Sequence, residues 1–153
     1  MAMTITSPAF ATGAMIPPEC GYSGANTSPP LAFAGVPAEA KSLALIVDDP
    51  DAPAGTWVHW VAFNIPAGIG ELAKNIPPQK ELPDGMRQGT NDFRKIGYGG
   101  PCPPSGTHRY FFKLYALDAA LSLAAGATKA QLLEAMKGHI LAQAELMGKC
   151  RRG

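Results

Sequence analysis

Three carboxylates stand within four residues at Asp48, Asp49 and Asp51, where VDDPDAPAGTWVHW turns from apolar to acidic and then reaches His59 between Trp57 and Trp60. A second histidine, His108, opens the run HRYFFKLYALD directly after the glycine- and proline-rich GGPCPPSGT. A carboxylate beside an imidazole favours the charged ring and fixes its orientation, so such a pair presents N–H donors to an anion, phosphate being the obvious candidate. Gly99, Gly100 and Gly106 would let the backbone approach a ligand closely, and Tyr110 could add a hydroxyl donor.

Other chemistries compete for the same residues. The aspartates could cap turns while each histidine satisfies a buried hydrogen bond. Two histidines and a carboxylate could hold a metal, but no tight ligand motif such as H-x-x-x-H is present. Ser105, His108 and an aspartate could make a hydrolase, yet Ser105 is not on a G-x-S-x-G elbow. His139 reads as a helix-surface or packing residue, Asn91-Asp92 as an Asx turn, and Trp57 and Trp60 as core, one of which could wall a pocket.

The elements that would position these side chains can be read from periodicity. Residues 42–47 form a continuous apolar run of strand length, suited to a central strand covered on both faces. Residues 56–65 predict a strand with Trp57, His59, Val61 and Phe63 on one face and Val58, Trp60 and Ala62 on the other. Residues 108–118 predict a third, with His108, Tyr110, Phe112 and Leu114 sharing a face.

If these strands share a sheet, the two loops open at one end of it and gather Asp49, Asp51, His59, His108 and Tyr110. Pro50 and Pro53 bias the acidic loop toward extended, stiff geometry. Asp48, of opposite parity, reads as a turn residue. Thr128 and Gln131 form a T-x-x-Q capping box ahead of Leu132, Leu133, Met136, Ile140 and Leu141, which predicts a helix; AELMGKC after it is compatible with helix or strand. Residues 14–37 suit a meander of edge strands, and residues 66–107 are mostly loop, a length usually tied to function or mobility.

Composition bounds the rest. The 153 residues suffice for one domain, taken here as 1–153, and 17 glycines and 15 prolines with only 16% charged residues favour a β-rich fold with many turns. A net charge of +1 with scattered bases carries no footprint for nucleic acid, and nothing predicts stable membrane insertion. The first residues lack a basic region and carry Pro8 where an apolar export core would run, so the expectation is a cytoplasmic protein. Cys20, Cys102 and Cys150 are odd in number and follow no metal-finger spacing, which predicts reduced thiols.

The motifs DPDAP at 49–53, W-x-H at 57–59 and GPCPPSGTHRY at 100–110, in that order, resemble the phosphatidylethanolamine-binding protein family, and more closely its bacterial Raf kinase inhibitor-like branch. NTSPPL at 26–31, NDF at 91–93, YGGPCPP at 98–104 and GHILAQAELMG at 138–148 extend the resemblance over nearly the whole chain. It implies a mainly β fold, a Greek-key antiparallel β-sandwich with a peripheral helix near the C-terminus, and a small anion pocket at one sheet end. Matched residue by residue, the ligand-binding set is Asp49, Asp51, His59, His108 and Tyr110, with Gly100 and Pro101 lining the mouth, Trp57 at the rim, and Arg109 securing the loop through an acidic partner.

The expected function is a non-catalytic binding module without metal or other cofactor. It would take a small phosphorylated or carboxylated ligand, regulate a protein partner such as a kinase, and, by resemblance to bacterial members, form a homodimer. Two alternatives remain open: a hydrolase or metal-assisted enzyme using Asp49, His59 and His108, with or without Cys102, and a kinase or protease inhibitor acting through the surface loop 78–107.

Overall fold

The computed structural model describes residues 2–101, 103 and 105–151. Cys102, one of the residues of interest, lies outside the described set. Two antiparallel sheets face each other. The smaller runs β1 (Thr4–Thr6), β2 (Leu31–Ala34) and β5 (Glu71–Leu72) in the order β1-β2-β5. The larger contains β3 (Ser42–Asp49), β4 (Trp57–Pro66), β6 (Arg87–Gln88), β7 (Thr107–Leu117) and β8 (Ile140–Arg151) in the order β6-β4-β3-β7-β8.

The apolar run of β3 lies at the centre because it must be covered on both faces, and every residue from Ser42 to Asp49 is buried. On one face Leu43, Leu45 and Val47 pack with Trp60, Phe112 and Leu114 against Ile5, Leu31, Phe33 and Leu72 of the small sheet. On the other, Ala44, Ile46, Val61, Phe63 and Leu117 pack against Leu132 and Met136 of the helix α1 (Lys129–Met136). Each fully buried large apolar side chain contributes about 1.5–3 kcal/mol, so the two clusters hold the central strands from both sides.

The capping box that predicts the helix is present: the Thr128 hydroxyl accepts from the Gln131 amide, and the Gln131 side chain accepts from the Thr128 amide. The helix is shorter than its apolar spacing predicts. It ends at Met136, Gly138 takes φ +79°, and Ile140 and Leu141 begin β8 instead of a fourth turn. His139 therefore lies in the turn after the helix, where Nδ1 is 2.7 Å from Asp118 Oδ1. No helix among the described residues is long and apolar enough to cross a membrane.

Strict alternation fails at two places in β4, between Ala62 and Ile65 and, next to the site, between Val58 and Trp60. Val47 pairs with Trp60 and Asp48 pairs with Val58, so His59 is an extra residue in the ladder. Such a bulge shifts the parity of everything beyond it. Val58 thereby joins Val61 and Phe63 on the helix-facing side instead of siding with Trp60 and Ala62. Trp57, directly opposite Asp49, and His59 turn toward the face that carries Tyr110.

Candidate functional site

Where the central strands end, a cavity of about 230 Å³ is lined by Asp49, Ala52, Pro53, Trp57, His59, Phe93 and His108. Its polar part comes from three adjacent strands. Asp49 closes β3, His59 is the bulged residue of β4, and His108 is the second residue of β7. Its apolar part comes from the loop after β3 and from Phe93, whose ring meets those of Trp57 (centroids 5.5 Å, 73°) and His59 (5.5 Å, 67°) edge-on.

Both histidines are buried, at 3% and 7% exposure, and both have Nδ1 engaged. His108 Nδ1 lies 2.6 Å from Asp49 Oδ2, and Asp49 Oδ1 accepts from the Asp51 amide at 2.8 Å, so the carboxylate is held by both oxygens. His59 Nδ1 lies 2.6 Å from the Gly99 carbonyl oxygen, an atom that can only accept, so this nitrogen carries the proton. The Gly99 amide donates back to the His59 carbonyl at 2.8 Å. Nε2 is then the ring nitrogen that each histidine has left for a ligand.

The charge states differ from a simple pair of imidazoliums. Burial lowers the His59 pKa below 6.5, opposed by the Gly99 carbonyl and the Asp49 charge, so at neutral pH this ring is uncharged and its Nε2 accepts. It becomes a donor only when a proton is added. Tyr110, 1% exposed, supports both rings from within β7, with centroids 5.1 Å from His59 and 6.5 Å from His108.

The loop between β6 and β7 is fixed by its own polar groups. The Asn91 side chain accepts from the amides of Phe93 (2.9 Å) and Lys95 (3.2 Å), making the Asx turn that the sequence predicts. Asp92 Oδ2 accepts from the Val58 amide at 2.7 Å. This sets Phe93 against Gly99, where an added Cβ would stand 2.5 Å from the ring, and only glycine fits. Phe93 is the wall residue that sequence reasoning passed over. NDF was visible as a motif, but nothing local says that the ring folds back onto His59.

The other predicted residues are nearby but do not line this cavity. Asp51 is turned to Arg109, accepting from its backbone amide (2.9 Å), Nε (2.9 Å) and Nη2 (2.8 Å), and these bonds pull the Asp51 pKa down to about 2. Arg109 thus secures the acidic loop through an acidic partner. Gly100 donates to Asn26 Oδ1 at 2.7 Å, and a Cβ there would collide with the Cys20 carbonyl. Pro101 accepts from the Tyr22 amide and lines a separate groove of about 560 Å³ with Pro17, Pro18 and Cys150.

Asp48 is not a turn residue. It is the penultimate residue of β3, 1% exposed, and faces away from the cavity, where Oδ2 takes Lys129 Nζ at 2.7 Å and Lys113 Nζ at 3.1 Å. Cys20 is a packing residue, its thiol pushed up to about 11 chiefly by burial. Among the described residues, no three His, Cys, Asp or Glu side chains are arranged to hold a metal ion.

A family model described as phosphatidylethanolamine-binding protein matches residues 6–151. A UPF0098 protein of Methanothermobacter thermautotrophicus is 56% identical over 99% of the chain and 100% of its own length; another from Chlamydia muridarum is 49% identical over 95% and 97%. Among solved structures, a putative phosphatidylethanolamine-binding protein homologue from Chlamydia trachomatis superposes with a TM-score of 0.92 at 47% identity, covering 99% of each chain. An Escherichia coli protein described as a new member of the mammalian family superposes at 0.91 with 34% identity, covering 100% of each.

Proposed function

The chain belongs to the phosphatidylethanolamine-binding protein family, and from that premise we propose that it is a non-catalytic binding module whose cavity takes a small phosphate-like or carboxylate group. One observation carries this reading. His59 and His108 are both buried, both line one cavity whose remaining walls are mainly apolar, and both have Nδ1 held by an acceptor, which leaves Nε2 as the ring nitrogen for a ligand. Two oriented nitrogens can grip an oxyanion once protonated, while Trp57, Phe93 and Pro53 accommodate whatever the anion is attached to.

Binding is favoured over turnover because Ser105, the serine a hydrolase reading would use, is exposed, and no serine lines the cavity among the described residues. The ligand is a phosphorylated or carboxylated metabolite, headgroup or modified side chain, and its occupancy would tune a protein partner of the kinase class. The reading also takes the chain as a member of the bacterial Raf kinase inhibitor-like branch working in the cytoplasm, supported by the motif resemblance alone.

Calorimetric titration with inorganic phosphate tests the reading. His108→Ala and His59→Ala should each weaken binding about tenfold or more, and wild-type affinity should fall as pH rises from about 6 to about 8. Unchanged affinity in both variants would remove this cavity from consideration.

A further inference from the structure

The charges around the cavity limit what it can hold. No lysine or arginine lines it among the described residues. Among the described residues, the titratable groups that face the two imidazoles are Asp49 from β3, Tyr110 from β7, Asp92 from the loop after β6, whose charge acts on His59, and Asp51 from the loop after β3, which interacts with His108. At the rim, Asp51 and Arg109 are closed on each other and contribute no net charge. With both imidazoles protonated, two positive charges oppose the one on Asp49, so the lining among the described residues reaches a net charge of +1 at most.

A buried site tolerates ions only when they nearly cancel. A singly charged group brings the occupied cavity to neutrality. A doubly charged group leaves an uncompensated negative charge beside Asp49, with Asp92 adding to the repulsion. Phosphate sites built to take a dianion use fixed cations such as arginine in fork geometry, and here Arg109, the residue after His108, is engaged by Asp51.

We propose that the cavity selects singly charged oxyacid groups, such as a carboxylate, a phosphodiester or a phosphate monoester holding one proton, and discriminates against doubly charged groups of the same shape. This rests on the anion-pocket reading above and specifies its ligand class. It also makes binding take up a proton wherever His59 starts neutral, so acidification loads the site.

Sulfamate and sulfate separate charge from shape, since they are near-isosteric, differ by one charge and do not titrate at working pH. The wild-type protein is titrated with each, and with inorganic phosphate, at pH about 6, following the ring resonances of His59 and His108 by NMR. Sulfamate should bind at least about tenfold more tightly than sulfate, an energy difference of about 1.4 kcal/mol. Sulfate binding as tightly as sulfamate overturns the proposal, as does phosphate binding at the histidines without sulfamate. If none of the three perturbs either ring, the anion-pocket reading falls with it.

Discussion

Asp48 and Asp49 are consecutive residues at the end of β3, 1% and 3% exposed, and the pleat sends them to opposite faces of the sheet. Asp48 meets two lysines, one from β7 and one from the first residue of α1, and ties the helix to the strand. Asp49 meets a histidine that borders open volume. Both carboxylates are costly to bury, and each is compensated by a partner: the first by two lysine ammonium groups, the second by a histidine ring nitrogen. The contrast separates an anchor from a proposed site: the lysine partners tie helix to strand, and the histidine partner stands beside open volume.

The largest effect should come from stripping the anchor. Lys113→Met with Lys129→Met leaves Asp48 buried without a countercharge and should destabilise the protein by about 3 kcal/mol in urea unfolding, near the lower bound for breaking a buried pair because both lysines are partly exposed. Phosphate affinity should stay within about twofold, since neither lysine lines the cavity. A large loss of affinity with little loss of stability would invert the roles assigned to the two faces.

Next comes Asp49→Asn, which keeps the shape and removes the carboxylate that holds His108 Nδ1. Phosphate affinity at pH about 7 should drop about tenfold, or about 1.4 kcal/mol. If stability falls by several kcal/mol while affinity holds, Asp49 is an anchor too and the comparison dissolves.

How much of this was legible follows from the same strands. Parity placed Asp49, His108 and Tyr110 correctly because β3 and β7 pair without a shift over their register from Ser42 to Asp48. It failed in β4, where the bulge at His59 adds a residue that alternation cannot reveal. Asp51 shares the parity of Asp49, but the strand ends at Asp49, so parity no longer governs where its side chain goes; three donors from Arg109 decide that. Asp48 was missed because its partners come from β7 and α1, too distant in sequence for a local pattern. Ile140 and Leu141 continue a helical spacing that Gly138 interrupts, and pairing with β7 then takes over.

A smaller effect concerns pH. The His59 pKa is lowered in the folded state, so below 6.5 the unfolded chain binds a proton that the folded chain resists. This group's stabilisation is therefore fully present above 6.5 and is lost as pH falls below it. The slope for one proton cannot exceed about 1.4 kcal/mol per pH unit. His59→Gln should flatten the stability profile just below 6.5 while leaving the steeper loss at lower pH, and an unaltered profile would mean that the ring is not resisting protonation.

The smallest effect should come from the rim. The Asp51–Arg109 pair is well formed, but the Arg109 side chain is 51% exposed, and solvent and salt screen such contacts. Asp51→Asn should change phosphate affinity by less than about twofold, against about tenfold for Asp49→Asn two residues away. The pair's own signature lies at low pH. Asp51 is held down at about 2 against a usual 3.8, so its small contribution is present above 3.8 and disappears as pH falls toward about 2, outside the His59 range. If Asp51→Asn instead weakens binding as much as Asp49→Asn, Asp51 supports the cavity as Asp49 does, and the separation of rim from site dissolves.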